Sequence, residues 1–303
     1  MRTPPLVLGL LPALLCAGCF SFQQGPVVYP GESCSFVEVQ GLTVHYRELA
    51  PAAPVAGPAL VFLHGFGGGL LSWAAIQPDL ARHHRTIAMD LKGFGRTSKP
   101  AGDYSRAAQA DLVVALLDRL AIPTATLVAH SWGSSVALEV ARRHPQRVAK
   151  LVLVAGFVYE EQLNGFLRWS QLPGLGEVLF GLAYDQGLEA RYTWGFYDPA
   201  RFVRAEHFDH LRAFQQTPGV TAAALATVRG MGLAELGPSL PTITQPALLV
   251  WGAADRVSPP RWGARLAADL PAARLHTLAR AGHHPMLERA GTLVGLIEEF
   301  LQP

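Results

Sequence analysis

The sequence predicts an α/β protein, a doubly wound and mostly parallel sheet with a helical cap inserted into it. Three observations predict this. Short apolar runs with no polar face recur along the chain, as in Ala59–Leu63, Thr126–Ala129, Leu151–Val154 and Ala247–Trp251. A strand without a polar face belongs to a sheet covered on both sides, which means parallel strands joined by helical crossovers. Helical apolar spacing separates these runs, and one long gap, from Val158 to about Leu240, breaks the alternation.

In chain order, Phe36–Val39 and Leu42–Tyr46 alternate apolar and polar residues across Gln40-Gly41, a hairpin signal. Residues 51–58, PAAPVAGP, read as a loop, and Ala59–Leu63 as a buried strand. Thr86–Met89 is a short strand. Ala107–Leu120 is a helix with Ala110, Val113, Val114, Leu117 and Leu120 on one face. Strand Thr126–Ala129, helix Val136–Arg143 and strand Leu151–Val154 follow. After the gap come strand Ala247–Trp251, a helix near 261–269, strand Arg274–Leu278 and a C-terminal helix from about 290. The gap has helical spacing, Gly/Pro breaks and thirteen of the chain's 27 aromatic residues, between Phe157 and Phe214. The expected organisation is therefore 1–18 signal peptide, 19–35 tether, 36–157 with 241–303 as the sheet domain, and 158–240 as the cap.

Composition narrows the function. Half of the 303 residues are hydrophobic and 16% are charged, which excludes a disordered chain. A net charge of +2 without a basic cluster gives no case for nucleic acid. Beyond residue 22 no apolar run approaches the length of a spanning helix. The N-terminus does carry a targeting pattern: Arg2, an apolar stretch from Leu6 to Ala17, then Ala17-Gly18-Cys19. It resembles a bacterial lipoprotein signal, which implies cleavage before Cys19 and lipidation of that cysteine. Cys16 departs from the pattern, which prefers an aliphatic residue there. The expectation is an exported protein held to the cell envelope through Cys19, with plain secretion or an uncleaved anchor as alternatives. Cys16, Cys19 and Cys34 are the only cysteines, so the folded part has neither a thiol nucleophile nor a cysteine metal site.

The chemistry is concentrated in three segments. Ala129-His130-Ser131-Trp132-Gly133 lies between a strand and a helix and matches the nucleophile elbow, a sharp turn that lifts a serine hydroxyl over the sheet. The positions two residues either side tolerate almost no side chain. Gly133 meets that demand, and Ala129 stands where the pattern has glycine. Leu249–Asp255 is a strand entering a loop that ends in a carboxylate, and Ala281-Gly282-His283-His284-Pro285 follows the last strand. Ser131, Asp255, His283 is the nucleophile–acid–base order of this architecture.

On these residues the chain resembles the α/β-hydrolase superfamily, in its cap-bearing branch of serine esterases and lipases, over residues 36–303. His64–Gly68, Asp90–Ser98 and the run from Gly282 to Glu288 add to the likeness. The resemblance implies that His283 takes the proton of Ser131 as it attacks a carbonyl, and that Asp255 orients the imidazole. Water would then hydrolyse the acyl-enzyme. It also implies an oxyanion hole from the backbone N–H groups of Phe66 and Trp132. No cofactor and no metal is expected. A serine at 131 argues against dehalogenase and epoxide hydrolase chemistry, which needs a carboxylate there.

Each assignment has a plainer rival. Ser131 alone would read as a helix N-cap. Asp255 could brace its loop with Arg256, and Glu160 or Glu161 could be the acid. His284 competes with His283, although the register with Gly282 and Pro285 favours His283. His64 reads as a shaper of the oxyanion loop and His130 as a packing residue. His207, Asp209 and His210 mimic a metal site but sit among Arg204, Glu206 and Arg212, as on a solvated helix face. Glycines 67–69 lack the Gly-Lys-Ser/Thr that a phosphate loop requires. The expected activity is hydrolysis of a small to medium apolar carboxylic ester. Thioesterase, lactonase, amidase, C–C bond hydrolase and perhydrolase use the same triad, because a fold and a triad do not fix the leaving group. A non-catalytic ligand-binding protein is the alternative of another class.

Overall fold

The computed structural model describes residue 22 and residues 35–53, 57–184, 188–204, 208 and 212–302. Cys16, Cys19, Cys34, His207, Asp209 and His210 lie outside the described residues.

Strands β1 (Ser35–Val39) and β2 (Leu42–Leu49) form the expected hairpin. Both turn residues have positive φ, 51° at Gln40 and 74° at Gly41, the conformation of a tight turn whose twist suits the flanking strands. Next come β3 (Ala59–Leu63), a single turn at Leu70–Trp73, α1 (Gln77–Leu80), β4 (Thr86–Met89) and α2 (Arg106–Arg119). The site-bearing stretch holds β5 (Ala125–His130), α3 (Trp132–Arg143) and β6 (Val148–Val154). The eight strands lie in the order β1-β2-β4-β3-β5-β6-β7-β8, with β7 at Ala247–Gly252 and β8 at Ala273–Leu278. Every pairing from β4 to β8 is parallel, and β2 alone runs against the other strands, antiparallel to both β1 and β4.

Both faces of the sheet are covered, which is why its central strands carry no polar face. Val61, Leu63, Leu127 and Leu153 pack with α2, α3 and α10 (Arg261–Asp269). Leu60, Phe62, Val128, Val152 and Leu248 pack on the other face with α1, α11 (Pro285–Glu288) and α12 (Ala290–Leu301). Each such side chain, fully buried, contributes roughly 1.5–3 kcal/mol.

Between β6 and β7 the described residues are helical: α4 (Gly165–Ser170), α5 (Leu175–Ala183), α6 (Leu188–Trp194), α7 (Pro199–Phe202), α8 (Val220–Arg229) and α9 (Leu233–Leu236). No strand occurs there among the described residues, and no described helix is long and apolar enough to cross a membrane. Several boundaries differ from the sequence expectation; β2, for one, runs to Leu49 rather than Tyr46. Helix α3 begins at Trp132 rather than Val136, because the tight turn at Ser131 starts it whatever the weak propensity of Gly133, Ser134 and Ser135. Strand β6 starts at Val148 rather than Leu151.

Candidate active site

Ser131 joins β5 to α3 with φ 50° and ψ −122°, a left-handed conformation that a residue with a β-carbon rarely adopts. Tertiary bonds hold it there. Its N–H donates to Val154 O at 2.9 Å, and its carbonyl accepts from Ser134 N and Phe157 N at 2.9 and 3.0 Å. A β-carbon on Gly133 would sit 2.5 Å from His64 O and 2.7 Å from Leu63 O, so the helix meets the β3 backbone only through glycine. The Ser131 side chain makes no capping bond to α3. Its Oγ lies 3.1 Å from His283 Nε2 instead, against the N-cap reading.

His283 stands in the loop between β8 and α11, and its Nδ1 is 2.8 Å from Asp255 Oδ2. The other oxygen of Asp255 accepts from Val257 N and Ser258 N at 2.9 and 2.8 Å. An ionised carboxylate only accepts, so Nδ1 carries the proton and Nε2 turns its lone pair to the hydroxyl of Ser131. All three side chains are buried. Glu160 and Glu161, the rival acids, are exposed, and Glu161 pairs with Arg265 at 3.1 Å.

The other histidines hold structure around this chain of bonds. His64 donates from Nδ1 to Gly65 O at 2.7 Å and accepts from Leu91 N at Nε2, 3.0 Å away. Burial lowers its pKa, partly opposed by Asp90. His130 donates from Nε2 to His283 O at 2.8 Å. Burial first, then the imidazoles of His283 and His284, hold it well below the usual histidine range. The His284 ring packs with centroids 4.7 Å from Phe196 and 5.3 Å from Tyr192, and burial first, then the imidazole of His283, holds its pKa well below the usual histidine range.

Phe66 lies in the turn after β3, closed by Gly68 N to Gly65 O at 3.0 Å. Its ring packs edge-on against Phe94 and Tyr184. Trp132 is the first residue of α3, where a backbone N–H has no acceptor within its own helix. Trp132 follows Ser131 directly, and Phe66 follows Gly65, where a β-carbon would sit 3.1 Å from Ser131 Cβ. Asp90 pins the loop beside them, accepting from Leu70 N, Arg96 N and His45 Nδ1 at 2.6, 2.9 and 2.6 Å. Burial raises its pKa, but the His45 bond and charge outweigh that and hold it low.

Two supporting residues carry roles that sequence reasoning missed. Gln162 is buried; its Oε1 accepts from Val158 N and Tyr159 N, and its Nε2 donates to Gly156 O and to Ser258 Oγ at 2.8 Å. It therefore braces the loop that carries Asp255. Glu288 accepts from Gly282 N at 2.6 Å and from Tyr197 N at 2.7 Å, and His283 N donates to Gly195 O at 2.6 Å. The base-bearing loop is thus bonded directly to the helical insert. The spacing from Gly282 to Glu288 was the only trace of this in the sequence. Among the described residues, no group of three or more His, Cys, Asp or Glu is arranged around a metal position.

Comparison with known proteins agrees with this architecture. The family model for the alpha/beta hydrolase fold matches residues 58–290, within the expected span of 36–303, and leaves out the β1–β2 hairpin. A 2-hydroxymuconate semialdehyde hydrolase of Pseudomonas sp. strain CF600 is 30% identical over 81% of this chain and 87% of its own length. The crystal structure of a hydrolase from Pseudomonas aeruginosa PA01 superposes with a TM-score of 0.75 at 29% identity, covering 90% of this chain and 100% of that one. Est816, described as an N-acyl homoserine lactone degrading enzyme, is 25% identical with a TM-score of 0.71, covering 88% of this chain and 100% of that one.

Proposed function

This chain belongs to the alpha/beta hydrolase fold family, and from that premise we propose that it is a serine hydrolase with Ser131 as nucleophile, His283 as general base and Asp255 as the acid that orients it. One observation carries the reading: the unbroken line of bonds from Asp255 Oδ2 to His283 Nδ1 and from His283 Nε2 to Ser131 Oγ, at 2.8 and 3.1 Å. As Oγ attacks a carbonyl carbon its proton passes to Nε2, and Asp255 stabilises the imidazolium. The Trp132 and Phe66 N–H groups receive the oxyanion, each worth on the order of 10²–10³ in rate. His283 returns the proton to the leaving group and then activates the water that releases the acid.

The substrate that best suits this site is a carboxylic ester of small to medium size with an apolar acyl group. Phe66, Phe94 and Tyr184 beside the serine turn support that preference, as does a cap role for residues 158–240. A second reading is hydrolysis of a C–C bond next to a carbonyl, favoured by the likeness to the 2-hydroxymuconate semialdehyde hydrolase. p-Nitrophenyl esters of graded acyl length, assayed beside a lactone, a thioester and a vinylogous 1,5-diketone, separate these. The ester reading predicts a burst of one p-nitrophenol per chain and the highest kcat/KM on esters. Preference for the diketone overturns it in favour of C–C cleavage, and no turnover of any carbonyl compound overturns the hydrolase.

The leader supports export and attachment to the cell envelope through acylated Cys19. Labelled palmitate incorporated by the wild type and lost in Cys19→Ser is the expected result; equal labelling of both contradicts it.

A further inference from the structure

One stretch of the insert is apolar and almost uncharged. From Trp169 to Tyr184 the only charged residue is Glu177, and it is ion-paired with Arg229 at 2.7 Å. Helix α5 is sided. Gly176 and Phe180 turn inward, Phe180 stacking on Tyr184 with ring centroids 4.7 Å apart. Leu175, Val178 and Leu182, at i, i+3 and i+7, share the outward stripe and are 40%, 46% and 72% exposed. Trp169 and Leu172, just before α5, extend it at 59% and 54%. Single exposed apolar residues are ordinary, but a contiguous patch of this kind marks an interaction surface.

Phe22 indicates what covers it. Its ring stacks on Tyr104, 6.0 Å between centroids, in a groove of about 430 Å³ lined by Glu177 of α5 and by Ala222, Leu225 and Arg229 of α8. The N-terminal chain therefore reaches the fold beside α5. Three peptide units separate Phe22 from position 19, at most about 11 Å of chain. With Cys19 acylated, as proposed above, on which this inference rests, hydrocarbon is delivered within that reach of Phe22.

We propose that the outward face of α4 and α5, built from Trp169, Leu172, Leu175, Val178 and Leu182, docks on a phospholipid bilayer and fixes the orientation of the enzyme there. A lipid anchor alone would tether the protein without immersing any of these side chains. Docking would set Tyr184, which follows α5 and packs on Phe66, one helix away from the membrane surface.

The test uses the full-length protein reconstituted into vesicles of phosphatidylethanolamine and phosphatidylglycerol with brominated acyl chains, which quench tryptophan on contact. Of the six tryptophans, Trp169 is the reporter. The expected result is quenching that disappears in Trp169→Phe. It should fall severalfold in Leu175→Glu/Leu182→Glu, while that variant's rate on a water-soluble ester stays at the wild-type value. Vesicle-bound protein with Trp169 unquenched, or quenching untouched by the two glutamates, overturns the proposal. So does an unquenched, concentration-dependent dimer in sedimentation that the two glutamates dissolve, since a second copy would then own the face.

Discussion

Ser131 holds a conformation costing of order 1–3 kcal/mol for a residue with a β-carbon, and it persists because surrounding bonds over-determine it. The acid is fixed in the same way. Gln162 links the loop after β6 to Ser258, and Ser258 N donates to Asp255. Gln162→Leu frees the N–H groups of Val158 and Tyr159 inside the protein, at about 1–3 kcal/mol each. Calorimetry should show a lower Tm and kinetics a lower kcat with little change in KM; an unchanged Tm contradicts the bracing role. Ser131 and Asp255 were legible because each follows a buried apolar strand, and His283 because it follows the last strand between Gly282 and Pro285 and completes a fixed order. Gln162 was not, since Glu160-Glu161-Gln162 reads as a solvated turn and nothing in residue type tells an amide facing water from one satisfying buried backbone.

At the scale of elements, the strand ends bring the site together and the loops must meet at close range. A β-carbon on Gly252 at the end of β7 would strike the carbonyl of Gly282, so the acid-bearing and base-bearing loops pack backbone to backbone. Glu288, in α11, then ties the base loop to the insert. Glu288→Ala removes its bonds to both Gly282 N and Tyr197 N and should lower kcat about tenfold or more, since a single such bond is worth about 1.5–3 kcal/mol. Glu288→Gln keeps one acceptor oxygen and should recover part of the loss; equal rates for both variants contradict the positioning role. The strands and the hairpin were readable from periodicity and the Gln40-Gly41 turn. The turn at Leu70–Trp73 and helix α1 were not, because pieces this short show no period and form only through packing of Trp73, Ile76 and Leu80 on the sheet.

For the whole molecule, buried ionisable groups set the pH range of stability. His64, His130 and His284 have folded-state pKa values below the unfolded value of about 6.5. Below that pH the unfolded chain binds more protons than the folded one, so stability present at neutral pH is lost as pH falls, by up to about 4 kcal/mol per pH unit for three groups. Lys99 acts at the other end. Burial lowers its pKa from 10.5 to about 8, against the pull of Asp90, so its charged form is penalised in the fold. Stability should rise by about 1.5 kcal/mol between pH 8 and 9.5 as it deprotonates. Denaturant unfolding across pH checks both limbs: His284→Phe should remove about one proton from the acid slope and Lys99→Met should flatten the alkaline rise. A profile flat from about pH 5 to 9 contradicts both. The central claim, that His283 held by Asp255 activates Ser131, is tested most directly by labelling with a fluorophosphonate and mapping the adduct by mass spectrometry. One adduct per chain, on Ser131, formed about 10²-fold or more slower in His283→Ala, is the predicted result. An adduct on another side chain, or an undiminished rate in that variant, contradicts it.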